Sequence, residues 1–179
     1  MKKRRTVMLT LTHSCNLSCS YCYECNKSQV SMCYETAINI LTVELNKKDD
    51  YEEIEIDLFG GEPFLEFELI RKIVNYVNAR QWCHDYIFFA VTNGTLIHGN
   101  VQEWLIDNKD SFVCGLSYDG TVEMQNMNRD NSAALIDLDF FYDMYPNQPI
   151  KMTISKQSLS LLAEGVISLQ KKVLKYPVI

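Results

Sequence analysis

The stretch "TVMLTLTHSCNLSCSYC", residues 6–22, joins an apolar run typical of a β-strand to three closely spaced cysteines. The run is short and continuous and contains β-branched residues, which is the pattern of a strand covered on both faces in a parallel sheet. Similar runs recur along the chain. We therefore predict five strands, at residues 6–12, 54–59, 86–91, 112–117 and 150–155.

Helical patterns lie between and after these strands. The clearest covers residues 66–79, where apolar side chains recur at helical spacing, and others cover residues 34–45, 101–107, 132–144 and 158–175. Alternating strands and helices predict an α/β fold of right-handed βαβ units, either an open doubly wound sheet or a barrel or part-barrel. In both architectures, ligands bind at the carboxyl ends of the strands.

Unusual sequences follow the predicted strands at those ends. After the three cysteines of the first loop come "GGEP" (60–63), "TNG" (92–94), "SYDG" (117–120) and, at the end of the fifth strand, Ser155. Since the carboxyl ends of parallel strands lie at one edge of the sheet, we expect these sequences to meet at one rim.

Length and charge restrict the class of protein. A chain of 179 residues is long enough for one domain with a core, so we predict a single domain over residues 1–179. A net charge of −6 argues against nucleic acid as a partner, and no apolar run approaches the roughly 20 residues that cross a membrane. We expect a cytoplasmic protein, where disulfides are rare and clustered cysteines more often bind metal or act in catalysis.

Cys15, Cys19 and Cys22 form the candidate metal site. Zinc usually takes two ligand pairs separated by a long loop, although Cys25 would supply a fourth thiolate and close such a site. Three thiolates instead suit a 4Fe-4S cluster in which one iron has no protein ligand. We favour the second interpretation, with Cys25 as a bystander, and expect the neighbouring tyrosines, Tyr21 and Tyr23, to shield the cluster.

The cysteine spacing, "FGGEP", "TNGTLI", "SYDG", Arg129 and "KMTIS" together resemble the radical S-adenosylmethionine (SAM) superfamily. The resemblance is to its peptide-modifying and anaerobic sulfatase-maturating branch, which is related to the SPASM proteins. It implies a partial (β/α)6 TIM-like barrel of parallel strands, here incomplete with about five βα units. Because we count five strands, we expect a radical SAM core without the last strand. We also expect no auxiliary-cluster domain, because no cysteine follows Cys114.

The resemblance also implies the cofactors, a 4Fe-4S cluster and SAM. The three cysteines would bind the cluster, and Gly60, Gly61 and Glu62 would hold the SAM amino group. The glycines suit such a role because a backbone without side chains can approach a ligand closely.

Two further residues, Ser117 and Arg129, would contact the SAM carboxylate, which a guanidinium binds as a planar fork. Asn93, Asp119 and Ser155 are weaker candidates, since Asn-Gly and Asp-Gly pairs are common in turns and Ser155 would equally cap the last helix.

The implied reaction is reductive cleavage of SAM to methionine and a 5′-deoxyadenosyl radical that abstracts hydrogen from a peptide or protein. Such an oxidoreductase-like peptide-maturation enzyme needs an electron donor such as flavodoxin or ferredoxin. Two alternatives stay open: a glycyl-radical-enzyme activase, and a truncated, non-catalytic module that binds metal or a peptide. "QN" at 125–126, where the family often has His-Asp, leaves activity of this short chain open, and no catalytic residue is identified.

Overall fold

The computed structural model describes residues 2–24 and 27–173, and side chains through residue 170. Four strands form one fully parallel sheet, in the order in which they occur along the chain. They are β1 (Arg4–Thr12), β2 (Glu53–Gly60), β3 (Asp85–Thr92) and β4 (Phe112–Leu116). The α/β class and four of the predicted strands are confirmed.

Six α-helices follow or separate the strands. They are α1 (Tyr34–Asn46), α2 (Phe67–Asn78), α3 (Asn100–Asp107), α4 (Val122–Asn128), α5 (Leu138–Met144) and α6 (Leu162–Val173). Short 3₁₀ helices occupy Pro63–Glu66, Ala133–Leu135 and Leu159–Leu161. Each of the predicted helices is present in whole or in part, and α4 was not predicted.

Helices α5 and α4 differ from the sequence prediction because a side-chain oxygen caps the first turn of each at a position that was not predicted. The predicted helix 132–144 is broken, since the Asp137 carboxylate accepts a hydrogen bond from the Phe140 backbone N–H (3.1 Å) and starts α5 there. Likewise Thr121 caps α4 by accepting from the Met124 backbone N–H (3.1 Å). Of the predicted helix 158–175, residues 174 and 175 lie outside the described residues.

The predicted fifth strand is wrong as a full strand. Only one parallel bridge, between Ser117 and Lys151, joins residues 150–155 to the end of β4. The reason is that side chains take the next backbone donors: the Thr153 N–H donates to Asp119 Oδ1 (3.0 Å) and the Ser155 N–H to Ser158 Oγ (3.3 Å). These donors are therefore not available for a sheet ladder.

Burial of the strands alternates, so the expectation of strands covered on both faces is also wrong. One face packs into the core with side chains from α1, α2 and α3; fully buried there are Leu9, Leu11, Ile54, Ile56, Leu58, Phe88, Ala90 and Phe112. On the opposite face Met8 is 55% exposed and Phe59 and Val91 are half-buried. That face leads to the cavity at the carboxyl ends of the strands.

No helix among the described residues has the length and apolar character needed to cross a membrane.

Candidate functional site

A cavity of about 340 Å³ lies at the carboxyl ends of the strands. This rim cavity is lined by residues from the loops after β1, β2, β3 and β4, as expected for a parallel α/β sheet. It brings together nine residues predicted for the site: Cys15, Cys19, Cys22, Gly60, Gly61, Glu62, Asn93, Ser117 and Arg129. Its volume falls within the roughly 300–1,000 Å³ of small-molecule pockets.

The three cysteines lie in the loop after β1, residues 13–24, called here the cysteine loop. Each is partly buried and none is in a disulfide. Cys15 Sγ lies 3.5 Å from the Leu17 backbone nitrogen and 3.9 Å from Asn93 Nδ2, so two N–H groups point at this sulfur. Such donors stabilise negative charge on a metal-bound thiolate.

Two cations face the second cysteine of this loop. Burial raises the pKa of the Cys19 thiol, whereas Arg129 and Lys27 favour its thiolate. Within residues 2–24 and 27–173, no three His, Cys, Asp or Glu side chains are placed to hold a metal ion. All three cysteines line the rim cavity.

The glycines of the next loop, residues 60–63, pack directly against the cysteine loop. A Cβ atom at Gly60 would lie 2.7 Å from the Thr12 carbonyl oxygen, too close for any side chain. The backbone N–H groups of Gly61 and Glu62 donate to the carbonyls of Thr12 (3.0 Å) and Ser14 (2.9 Å). Because Gly60 and Gly61 have no side chains, the loop after β2 packs directly on the backbone of residues 12–14. The sequence interpretation had assigned this close approach to a ligand.

Glu62, which belongs to this glycine loop, is fully buried. Its carboxylate accepts hydrogen bonds from the Asn93 backbone N–H (2.8 Å), the Thr92 hydroxyl (2.8 Å) and the Phe64 backbone N–H (3.1 Å). Burial raises the pKa of Glu62 to about 7, although these three bonds favour the charged form. Glu62 thus links the loop after β2 to the end of β3.

Arg129 follows α4 and reaches the cavity as a buried cation, with 8% of its side chain exposed. Its Nη2 donates to Asp119 Oδ1 at 3.1 Å, and its guanidinium carbon lies 5.3 Å from the centre of the Tyr21 ring. Its Nε is buried without a hydrogen-bond partner among the described residues. Since buried donors are nearly always satisfied, this atom indicates a place for a ligand acceptor.

Asn93 and Ser155, two of the weaker candidates, have different surroundings. Asn93 is at the cavity, where its Nδ2 donates to Asn16 Oδ1 (3.0 Å), while Gly94 beside it takes the positive φ of a turn. Ser155 is not among the cavity-lining residues; its hydroxyl donates to Asn128 Oδ1 (2.9 Å) and accepts from the Ser158 backbone N–H (3.1 Å). Ser155 thus binds within the turn at residues 155–158 and does not cap the last helix, which begins at Leu162.

Sequence reasoning did not identify Tyr21 and Asp119 as a pair. The Tyr21 hydroxyl donates to Asp119 Oδ2 at 2.6 Å, across 98 positions of sequence. Burial, followed by this bond, raises the pKa of Tyr21. Tyr23 lines the cavity although it is 79% exposed, and its shielding of the cluster stays a prediction. Asp119 was a weaker candidate because Asp-Gly pairs are common in turns, and nothing in the sequence indicated its bond to Tyr21. Cys25 lies outside the described residues.

These groups suit the cofactors implied by the resemblance. The thiol groups of three cysteines line the cavity together with a guanidinium whose Nε has no partner among the described residues. A family model described as a 4Fe-4S single cluster domain matches residues 4–134. The chain belongs to the 4Fe-4S single cluster domain family. Membership in this family confirms the predicted cluster type.

Two relatives were compared with this chain, and one of them belongs to the predicted branch. The chain is 40% identical over 114 residues to an uncharacterized protein of Methanocaldococcus jannaschii, covering 64% of this chain and 38% of that protein. It is 28% identical over 138 residues to a cysteine-type anaerobic sulfatase-maturating enzyme of Clostridium novyi, covering 72% of this chain and 36% of the enzyme. The resemblance to radical SAM sulfatase-maturating proteins is confirmed.

A solved structure supports the fold. Native anSMEcpe with bound AdoMet and Kp18Cys peptide matches 94% of this chain and 49% of its own, with a TM-score of 0.79 and 23% identity. This likeness confirms the predicted part-barrel of the radical SAM proteins. This chain therefore spans about half or less of the length of these three proteins.

Proposed function

We propose that this chain binds a 4Fe-4S cluster and SAM in the rim cavity and uses them to modify a peptide or protein. The observation that carries the proposal is the composition of one cavity. It combines the thiols of Cys15, Cys19 and Cys22 with the buried guanidinium of Arg129, whose Nε has no partner among the described residues. Three thiolates suit a cluster, and the unused donor suits the carboxylate of a ligand beside it.

The roles of the residues follow from their surroundings. The three cysteines would hold the cluster, and N–H groups of Leu17 and Asn93 would stabilise the Cys15 thiolate. When bound, the cluster supplies the electron that cleaves SAM to methionine and a 5′-deoxyadenosyl radical, the species that takes hydrogen from a substrate. Ser117 and Arg129 would bind the SAM carboxylate.

The glycine loop would hold the amino group of SAM. Both oxygens of Glu62 already accept protein hydrogen bonds, so backbone carbonyls of residues 60–62 are the better acceptors for an ammonium group. Glu62 would then act by holding the loop after β2 against Asn93 and thereby keep these carbonyls in place.

The substrate and the partners belong to the same proposal. A solved relative carries a bound Kp18Cys peptide, which supports a peptide or protein as the substrate class. An electron donor such as flavodoxin or ferredoxin and a cytoplasmic location would follow from an oxygen-sensitive cluster that has to be reduced. Ser155 stays a weaker candidate for cofactor binding.

The test is formation of 5′-deoxyadenosine from SAM. The full chain is reconstituted anaerobically with iron and sulfide, reduced with dithionite and incubated with SAM. Cys19→Ser should abolish both iron binding and product, whereas Cys33→Ser should retain both, because Cys33 is exposed and is not a cavity residue. An iron-loaded, reduced wild-type protein that makes no 5′-deoxyadenosine would refute the enzymatic proposal.

The same preparation separates the alternatives. Zinc without iron or sulfide would support a non-catalytic metal-binding module, because radical formation needs a redox-active cluster. Capture of a large partner that acquires a stable glycyl radical would instead identify an activase. Iron and sulfide together with 5′-deoxyadenosine formation, but no such partner, agree with the proposal.

A further inference from the structure

Asp119 is a fully buried carboxylate at which three parts of the chain meet. One oxygen, Oδ2, accepts from the Tyr21 hydroxyl at 2.6 Å. The other, Oδ1, accepts from Arg129 Nη2 at 3.1 Å and from the Thr153 backbone N–H at 3.0 Å. The Asp119 backbone N–H is used as well, donating to Gln125 Oε1 at 2.9 Å. A buried charge held by this many bonds has one orientation.

The bond to Asp119 leaves other N–H donors of Arg129 available for a ligand. A guanidinium carries five N–H donors in a rigid plane, and the bond to Asp119 involves Nη2. Its Nε is buried and has no acceptor within the described part of the chain. Because the group is planar, a bond that fixes Nη2 also restricts the direction in which Nε points.

Tyr21 ties this pair to the metal-binding part of the site. It lies between Cys19 and Cys22 in sequence, and its ring lies near the Arg129 guanidinium, 5.3 Å from ring centre to guanidinium carbon. Two further backbone N–H groups of this loop bond to residues beside Arg129: the Ser20 N–H donates to the Asn128 carbonyl (2.8 Å) and the Ser18 N–H to the side-chain oxygen Asp130 Oδ2 (3.3 Å). These bonds therefore fix the position of the cysteine loop relative to Arg129.

We propose that Asp119, held by Tyr21, is a positioning residue that orients Arg129 toward the carboxylate of the ligand in the rim cavity. This inference rests on the proposed function, since it takes SAM as that ligand. Asp119 itself has no unused oxygen for the ligand, and its charge balances that of Arg129. Its contribution is thus the direction of the Arg129 donors, and its loss should weaken recognition of the carboxylate selectively.

The test compares SAM with decarboxylated SAM, which keeps the amino and adenosyl groups but lacks the carboxylate. Wild-type protein, Asp119→Asn and the exposed control Asp110→Asn are prepared as full chains, reconstituted anaerobically and matched for iron and sulfide. Dissociation constants are measured without reductant, so no turnover occurs. Asp119→Asn should weaken SAM binding about tenfold and analogue binding less than about twofold. Asp110→Asn should change neither.

A second variant keeps the inference testable if Asp119→Asn does not fold or take up iron. Tyr21→Phe removes only the hydroxyl and keeps the ring, and it should weaken SAM binding about threefold with little effect on the analogue. Added to Asp119→Asn, it should have a smaller effect than alone, because both changes remove the same bond.

The outcomes distinguish this inference from the function on which it rests. Wild-type protein that binds neither compound overturns both. Wild-type protein that binds SAM while Asp119→Asn and Tyr21→Phe weaken SAM and the analogue equally, or weaken neither, overturns the positioning role alone. Selective loss of SAM affinity in either variant supports it.

Discussion

Gly61 packs against Ser14 so closely that a Cβ atom at position 61 would lie 2.8 Å from the Ser14 carbonyl carbon. The atoms in contact are backbone atoms of the cysteine loop, which have no flexible end that can move aside. The variant Gly61→Ala should therefore destabilise the protein by about 3 kcal/mol and reduce iron uptake. Urea unfolding and iron content after reconstitution measure the two effects.

Gly99→Ala is the matched control for this change. Gly99 has a positive φ of 51°, but apart from its chain neighbours no atom of the described residues lies within 4 Å of the position that its Cβ would occupy. Only backbone strain is expected, about 1 kcal/mol, with normal iron content per folded chain. Equal losses of iron in both variants would contradict a specific role of the contact between Gly61 and Ser14.

Iron content tests how many cysteines bind the cluster. Cys15→Ala, Cys19→Ala and Cys22→Ala should each lose the cluster, because a three-thiolate site has no spare protein ligand. Cys25→Ala should keep about four iron atoms per chain, as the sequence interpretation of Cys25 as a bystander predicts. Anaerobic iron and sulfide assays measure this, with the exposed Cys33→Ala as control. Loss of iron from Cys25→Ala would mean a four-cysteine site.

Glu62 should make stability depend on pH. Its pKa is raised to about 7 from 4.5 by burial, so between these values the folded protein holds a proton that the unfolded chain releases. Stability of the wild type relative to Glu62→Gln should therefore fall as pH rises, by about 2–3 kcal/mol between pH 5 and pH 8. Urea unfolding of metal-free protein across this range measures the difference.

The control for Glu62 is Glu103→Gln, at an exposed position on α3. Its stability relative to the wild type should not vary over the same pH range. A wild type whose stability relative to Glu62→Gln does not change between pH 5 and pH 8 would show that the hydrogen bonds from Asn93, Thr92 and Phe64 outweigh burial, and that the carboxylate is ionised throughout.

The sheet and the rim were predictable because both depend on local patterns. Buried apolar runs alternate with helical ones, and parallel strands place their following loops at one edge. The cysteine spacing and the glycine loop could thus be assigned to one site before the structure was known. The prediction of a fifth strand was wrong because the backbone N–H groups of Thr153 and Ser155 donate to the side chains of Asp119 and Ser158.

What the sequence did not predict depends on tertiary contacts. Tyr21 and Asp119 are 98 positions apart, and no local pattern indicates that a tyrosine hydroxyl will meet that carboxylate. Similarly, the glycines at 60 and 61 suggested close approach to a ligand, whereas the structure shows close approach to the backbone of the preceding loop. Motifs identified the residues; only packing showed what each one contacts.

Ser155 was a candidate both for a cofactor contact and for a structural role. Its hydroxyl bonds to Asn128 and Ser158 and is not at the rim cavity. Ser155→Ala should therefore lower stability by about 1 kcal/mol, the usual effect of losing a side-chain hydrogen bond, and leave SAM affinity unchanged. Ser160→Ala, at an exposed position of the same segment, should change neither. Calorimetric titration with SAM decides the point: weaker binding by Ser155→Ala at normal iron content would restore Ser155 to the cofactor site.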